Sequence, residues 1–240
     1  MTRDFAKLFP IKKPIIGMIH LAGNGRDGKI KRALDELGIY EEEGVDGAII
    51  EDYHGNYSNL LDALQQSERG FKIVRGVNYL HNPYEGFQFA ANYGAKFVQF
   101  DNVSGGIDFS TLGLLRGKFP NISLLGGVRF KYTKDTGNSL EKDLTLAMGI
   151  CEAIVTTGEG TGIETPTDKL RAFKYHLGDF PLVVGAGVNA KNAYEQLRVC
   201  DGAIIGSYFK PNGDTQMPVD RIRVRELMDI VREVRRCFDN

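Results

Sequence analysis

The chain has 240 residues, 42% of them hydrophobic, with 30 basic against 31 acidic side chains and a net charge of −1. That balance excludes a strong field for gripping nucleic acid or an anionic membrane, so any anion must be held by local geometry. No apolar run approaches the ~20 residues that span a bilayer, so no transmembrane segment is expected. Cys151, Cys200 and Cys237 are odd in number and far apart, with no CxxC pair, which points to reduced thiols and a cytoplasmic setting.

The length suits one (β/α)8 TIM barrel, for which about 250 residues is typical, and no linker divides residues 1–240. Pro14 to His20 reads as the first strand, followed by a glycine-rich loop to Gly28 and a helix from Lys29 to Glu43. Gly47–Glu51 is the second strand, and a helix over 58–69 opens on Ser58 as its cap. The third strand covers 71–78, with Pro83 in the first turn of the helix that runs toward Tyr93. Strands over 96–101, 122–130 and 152–156 alternate with helices over 109–118, 139–149 and 167–176. Two short apolar strands follow, P-L-V-V-G-A-G and D-G-A-I-I-G-S, before an amphipathic helix over 219–235. Eight alternations of this kind predict a closed parallel barrel ahead of an open doubly wound sheet. The first loop, L-A-G-N-G-R-D-G, also lacks the GxGxxG fingerprint of the open sheet.

The last two strands break at glycine, at Gly185 and Gly187 and again at Gly206. Glycine there lets the backbone approach a ligand with its N–H groups forward. In a barrel, the loops after strands seven and eight are the usual phosphate site. Gly185, Ala186, Gly187, Gly206 and Ser207 are therefore the candidate phosphate cradle.

Catalytic groups of a barrel sit where its strands end. Glu51 follows an apolar run directly, and partial burial would raise its pKa into a useful range for acid–base work. Asp101 is placed alike; the two carboxylates could share a proton or hold a divalent metal such as magnesium. His20 ends the first strand as a catalytic or ligand-contacting candidate. Lys131 is expected to stabilise negative charge, ahead of a Schiff-base role. Asn78, Arg129 and Thr156 are the candidate substrate-binding groups, with Arg129 expected on the same side of its strand as Lys131. The glycines of Gly158-Glu-Gly-Thr-Gly162 permit a lid. No HxH, HExxH, Cys/His cluster, nucleophile elbow or Walker A motif occurs, so no metal site and no cofactor are predicted.

Taken together, the strand-end motifs resemble the BtpA/SgcQ family of barrel proteins. The matching residues are Gly17-Met-Ile-His-Leu21, Ile50-Glu51, Gly76-Val-Asn78 with Leu80 and Asn82, Gly94-Ala95, and Lys131. They continue through Gly185-Ala-Gly-Val188 with Asn192, and Asp201-Gly-Ala-Ile-Ile-Gly-Ser207 with Lys210, Gly213 and Pro218-Val-Asp220. The resemblance implies a ribulose-phosphate-binding type of barrel. One cyanobacterial branch of the family is tied to photosystem I biogenesis, and others accompany sugar-uptake and sugar-phosphate genes; no defined reaction carries over. Three departures fall at the expected mouth. Ala22-Gly-Asn-Gly25 replaces a proline-rich loop, Asp101 stands where the family has Asn, and Tyr132 where a His often follows the lysine.

The expected function is that of a cytoplasmic enzyme, a homo-oligomer, acting on a small phosphorylated metabolite by isomerase, epimerase or aldolase chemistry. Two other readings compete with it. One is a biogenesis factor that uses the barrel as a scaffold, with the arginine-rich last helix as a binding surface. The other is a metal-dependent hydrolase or lyase.

Overall fold

A computed structural model describes residues 4–239. Strands β1 (Ile15–Ile19), β2 (Gly47–Glu51), β3 (Val74–Asn78), β4 (Phe97–Phe100), β5 (Ser123–Gly127), β6 (Ala153–Thr156), β7 (Leu182–Val184) and β8 (Gly202–Ile205) pair in parallel in chain order. β8 returns to β1 and closes the barrel. Helices α2 (Gly25–Glu42), α3 (Tyr57–Ser67), α4 (Gly86–Asn92), α5 (Phe109–Lys118), α6 (Leu140–Met148), α7 (Thr167–Leu177), α8 (Ala193–Val199) and α9 (Arg221–Asp239) follow the eight strands in turn.

The strands are apolar on both faces because both are covered. Ile16, Met18, Ile49, Leu125, Val155 and Ile204 belong to a cluster inside the barrel. Their strand neighbours Ile15, Ile19, Ile50, Leu124, Ile154 and Ile205 belong to the layer shared with the helices. Because side chains alternate with a period of two, this parity decides which strand-end residue faces the mouth. It carries His20, Glu51 and Gly206 inward.

A short N-terminal helix, α1 (Phe5–Leu8), was not foreseen in the sequence. Asp4 caps it by accepting the Ala6 N–H at 2.9 Å. Phe5 and Phe9 enter the inner cluster, their rings 5.4 Å apart and edge to face, and Phe9 meets Phe97 in the same manner at 5.8 Å. Gly47, the first residue of β2, leaves room for this ring: a Cβ there would lie 2.8 Å from it. The aromatic pair stops the barrel at the amino ends of the strands.

Several boundaries differ from those expected. β3 starts at Val74, since the Lys72 and Ile73 N–H groups are taken by the Glu41 carboxylate at 2.5 and 2.8 Å. α2 begins at Gly25, inside the stretch read as a loop, where Arg26 grips Asp62 of α3 through two bonds of 2.6 and 2.8 Å. Asn56, not Ser58, caps α3 by accepting the Asn59 N–H at 3.0 Å. β5 ends at Gly127, three residues early.

The segment after β8 is tied down by a buried ion pair. Lys210, fully buried, donates to Glu36 Oε1 of α2 and to the Met217 carbonyl, both at 3.1 Å, and Glu36 Oε1 also accepts the Val219 N–H at 3.1 Å. Burial pushes the Glu36 carboxyl up and the Lys210 ammonium down, against the pull of each on the other. Breaking such a pair leaves one uncompensated charge indoors, at a cost of roughly 3–5 kcal/mol. Glu36→Gln should therefore lower the urea midpoint by the equivalent of about 3 kcal/mol at unchanged slope. Glu36→Leu combined with Lys210→Met should recover most of it; equal midpoints for wild type and Glu36→Gln would refute the anchoring role.

Candidate active site

A cavity of about 450 Å3 opens at the carboxyl ends of the strands, within the range of small-molecule sites. Its titratable and charged lining includes His20, Glu51, Asp101, Lys131 and Arg223, and its far wall includes Gly185 to Asn189 and Ile204 to Tyr208.

Three strands build the acidic side. The β2–β3 register sets Glu51 directly opposite Asn78, and Asp101 follows the end of β4 one strand further round. Asn78 is buried and spends both protons of Nδ2 on the carboxylates, at 2.7 Å to Glu51 Oε1 and 3.0 Å to Asp101 Oδ1. Gln99, two residues before Asp101, adds a bond to the same Oδ1 at 3.0 Å. Glu51 Oε2 and Asp101 Oδ2 receive no hydrogen bond from the described residues. Each acid is thus held by one oxygen and open at the other.

Burial raises the pKa of both acids. Glu51 is pushed up to about 8, first by burial and next by the Asp101 charge, with Lys131 and the Asn78 bond pulling the other way. Asp101 is raised by burial and restrained by Asn78, Lys131 and Gln99. Glu51 therefore keeps its proton at neutral pH, and the charge of the neighbouring Asp101 helps to hold it there. Lys131 lies near enough for its charge to act on both acids and on His20. Its backbone N–H is fixed by Thr157 Oγ1 at 2.6 Å.

His20 is buried, and its Nδ1 has no partner among the described residues. Burial, with Lys210, His54 and Lys131 nearby, holds the imidazole well below the usual histidine range. It is a neutral ring at physiological pH. Gln99 Oε1 is likewise buried without a partner. Orphaned polar atoms at a cavity wall mark where a ligand's own polar groups are wanted. Gln99 was missed in the sequence, although its place two residues before Asp101 gives it the same inward parity.

The glycine-broken ends of β7 and β8 lie together on the opposite wall. Gly185 does not serve as a donor there, because its N–H already bonds the Thr156 carbonyl at 2.8 Å. Ala186, Gly187, Gly206 and Ser207 donate to no acceptor among the described residues. Gly187 has φ +75°, and a Cβ on it would fall 2.3 Å from the Ile163 carbonyl. Only glycine lets the β6–α7 loop lie this close. That loop also rests beside Ser207 and donates the Thr161 N–H to the Tyr132 hydroxyl at 3.1 Å, so it is already drawn across the cradle.

Two expected substrate contacts are not at the mouth. Thr156 is a buried β6 residue whose hydroxyl lacks a partner; it shares the outward parity of Ile154, and neither lines the cavity. Arg129 lies beyond the shortened β5 with φ +47°, so strand alternation no longer governs it. Its side chain turns to α6, 3.4 Å from Asp143 and 3.0 Å from the Asn138 carbonyl. Asn78 is in place but binds the acids rather than open space. Tyr132, also at positive φ (+63°), stands over the mouth, the kind of backbone strain that gathers at functional sites.

The arginines of α9 mostly serve the fold. Arg221 and Arg225 bind Glu43, and Arg235 binds Asp46. Arg232 and Arg236 pair within the helix. Cys151 and Cys200 are buried, with their thiols pushed up by burial. Among the described residues no group of three or more His, Cys, Asp or Glu is arranged to hold a metal, and no helix is long and apolar enough to cross a membrane.

The closed parallel sheet, with a cavity at the carboxyl ends of its strands, defines a TIM-barrel protein. The chain belongs to the BtpA family, whose family model matches residues 11–233. An uncharacterized protein of Pyrococcus horikoshii is 28% identical over 255 residues, covering 93% of this chain and 97% of its own. The sgc region protein SgcQ of Escherichia coli is 23% identical over 265 residues, covering 94% and 96%. Among solved structures, phosphoribosylanthranilate isomerase from Pyrococcus furiosus superposes with a TM-score of 0.63 at 16% identity, covering 92% of this chain and 99% of that one. This likeness is one of fold.

The Glu51 proton has a consequence for stability. The folded protein keeps it up to about pH 8, whereas an unfolded glutamate releases it near 4.5. The contribution is fully present below the lower value and is lost as pH rises through the upper one, on the order of a few kcal/mol. Wild-type Tm should fall between pH 5 and pH 9, and Glu51→Gln, which cannot ionise, should flatten that fall and be the more stable protein at pH 9. Parallel Tm profiles for the two would show that Glu51 ionises normally.

Proposed function

We propose that this protein is an enzyme that binds a small phosphorylated metabolite, a sugar phosphate or nucleotide-like compound, and moves protons on it in the manner of an isomerase, epimerase or aldolase. The observation that carries the reading is the pair of buried carboxylates bridged by Asn78, each with one open oxygen, in a cavity also lined by Ala186, Gly187, Gly206 and Ser207, whose N–H groups meet no acceptor among the described residues. The phosphoribosyl ligand in the name of the structurally similar isomerase agrees with this reading.

The division of labour follows from the charges. The phosphate rests on the N–H groups of Ala186, Gly187, Gly206 and Ser207, which supply partial positive charge without reorganising. Asp101, ionised, accepts a proton from carbon next to a carbonyl through Oδ2. Glu51, protonated, gives one to the carbonyl oxygen through Oε2, and the two then exchange roles. Lys131 stabilises the negative charge that builds on oxygen, and neutral His20 donates or accepts a hydrogen bond without adding charge. The loop at 158–162 shuts water out of the closed site.

A thermal-shift panel of phosphorylated sugars and nucleotides tests the binding half. A true ligand at a hundred times its Kd adds about 2.7 kcal/mol of stability; no shift with any member would sink the reading. For a ligand so found, hydrogen exchange at carbon in deuterated water tests the chemistry. Asp101→Asn should slow it by roughly 10²–10⁴-fold while leaving the thermal shift in place.

A further inference from the structure

Arg223 stands out among the arginines of α9. Three of the first five residues of that helix are arginines, at 221, 223 and 225, and its first turn holds no acidic residue. A cation there opposes the helix dipole. For two of them the cause is visible: Arg221 reaches Glu43 at 3.0 Å, and Arg225 makes a two-pronged contact with the same carboxylate at 2.9 and 2.8 Å. Arg223 has no such partner. Its Nε is 3.7 Å from Asp220, its Nη1 is 3.5 Å from the Tyr208 carbonyl, and its guanidinium lies 5.8 Å from the Tyr208 ring centre. These contacts are long, and the Asp220 pair is part-exposed at 37% and 34%, so they offset little of the cost. A charge placed at odds with its local structure and poorly compensated within the chain marks a demand from outside it.

That demand lies in the cavity, whose wall Arg223 shares with Ser207, Tyr208, Asn212 and Gly213. The open N–H groups of Gly206 and Ser207 are on this side, and they carry only partial charges. Lys210, three residues beyond Ser207, is consumed by Glu36. Lys131 works at the other end, where its charge acts on Glu51 and Asp101. The two cationic side chains of the lining are thus divided, one for the acids and one for the cradle.

We infer that Arg223 is the cationic clamp of the phosphate cradle, and that it makes the site selective for a phosphate dianion over a carboxylate. The guanidinium fork matches two phosphate oxygens, and the backbone N–H groups take the remaining lone pairs. A carboxylate has half the charge and one oxygen fewer, so it cannot satisfy fork and amides together. Arg223 would leave its loose contact with Asp220 to bind. The inference rests on the proposed function, because it assumes that the cradle receives a phosphate.

The test uses the full chain and inorganic phosphate at pH 7.5, with binding followed by phosphorus NMR or calorimetry. Arg223→Met should weaken phosphate binding about tenfold or more, the loss expected for a charge-assisted bond. Arg223→Lys should fall between, keeping the charge and losing the fork. Arg232→Met, which removes the same charge from a pair within the same helix, should leave the affinity unchanged. Acetate should compete weakly against wild type, and no better against phosphate than chloride does. Circular dichroism establishes that each variant is folded. If wild type binds phosphate and folded Arg223→Met binds it equally well, the clamp is overturned and the cradle stands. If wild type binds no phosphate, the cradle fails and the clamp with it. Loss of affinity in Arg232→Met as large as in Arg223→Met would also overturn the clamp, since net charge alone would then explain it.

Discussion

One amide nitrogen joins the two buried acids of this barrel. Asn78 Nδ2 stands between Glu51 and Asp101 and gives one proton to each. Without it, two buried carboxylates would face each other with no donor between them, and both would be driven toward the neutral acid. With it, both carboxylates gain a donor that favours their charged forms, against the burial that raises them. The ladder register makes this arrangement possible, because β3 places Asn78 level with Glu51, between the strands that carry the two acids. Three adjacent strand ends thus bring two buried acids and their shared donor together.

The opposite wall depends on a different kind of restraint. The loops that offer open N–H groups are held from outside, by Glu36 and Lys210 behind the β8 end and by the β6–α7 loop in front of Gly187. Two of the family departures seen in the sequence fall on the mouth. Asp101 becomes half of the carboxylate pair, and Tyr132 becomes the post to which the β6–α7 loop is hydrogen-bonded. They stand beside His20, Glu51, Lys131 and the glycine-broken ends of β7 and β8, the strand-end motifs on which the family resemblance rests, and all of these line the same cavity.

Much of the architecture was legible because buried parallel strands announce themselves as apolar runs that stop at glycine or a charge. That rule alone placed Glu51, Asp101 and His20 at the strand ends, where they line the cavity. The failures have physical causes. Thr156 and Thr157 are adjacent polar residues at one strand end, and only the parity of the inner cluster reveals that the first faces the helices while the second fixes Lys131. Arg129 was assigned by alternation along a strand that had already ended, and its positive φ carries no sequence signal in a non-glycine residue. The open state of the Ala186 and Gly187 N–H groups, against the spent one of Gly185, depends on which carbonyl lies opposite. Arg223 reads as one of a row of surface arginines until the carboxylates that claim the others are seen.

The aromatic pair under the barrel has an effect on traffic. With Phe5 and Phe9 wedged among the strand starts, their rings pack into the inner cluster at that end and against Phe97. The cavity at the other end is rimmed by Tyr132 and the β6–α7 loop. For the proposed enzyme, release of one molecule and entry of the next would therefore compete for the same doorway.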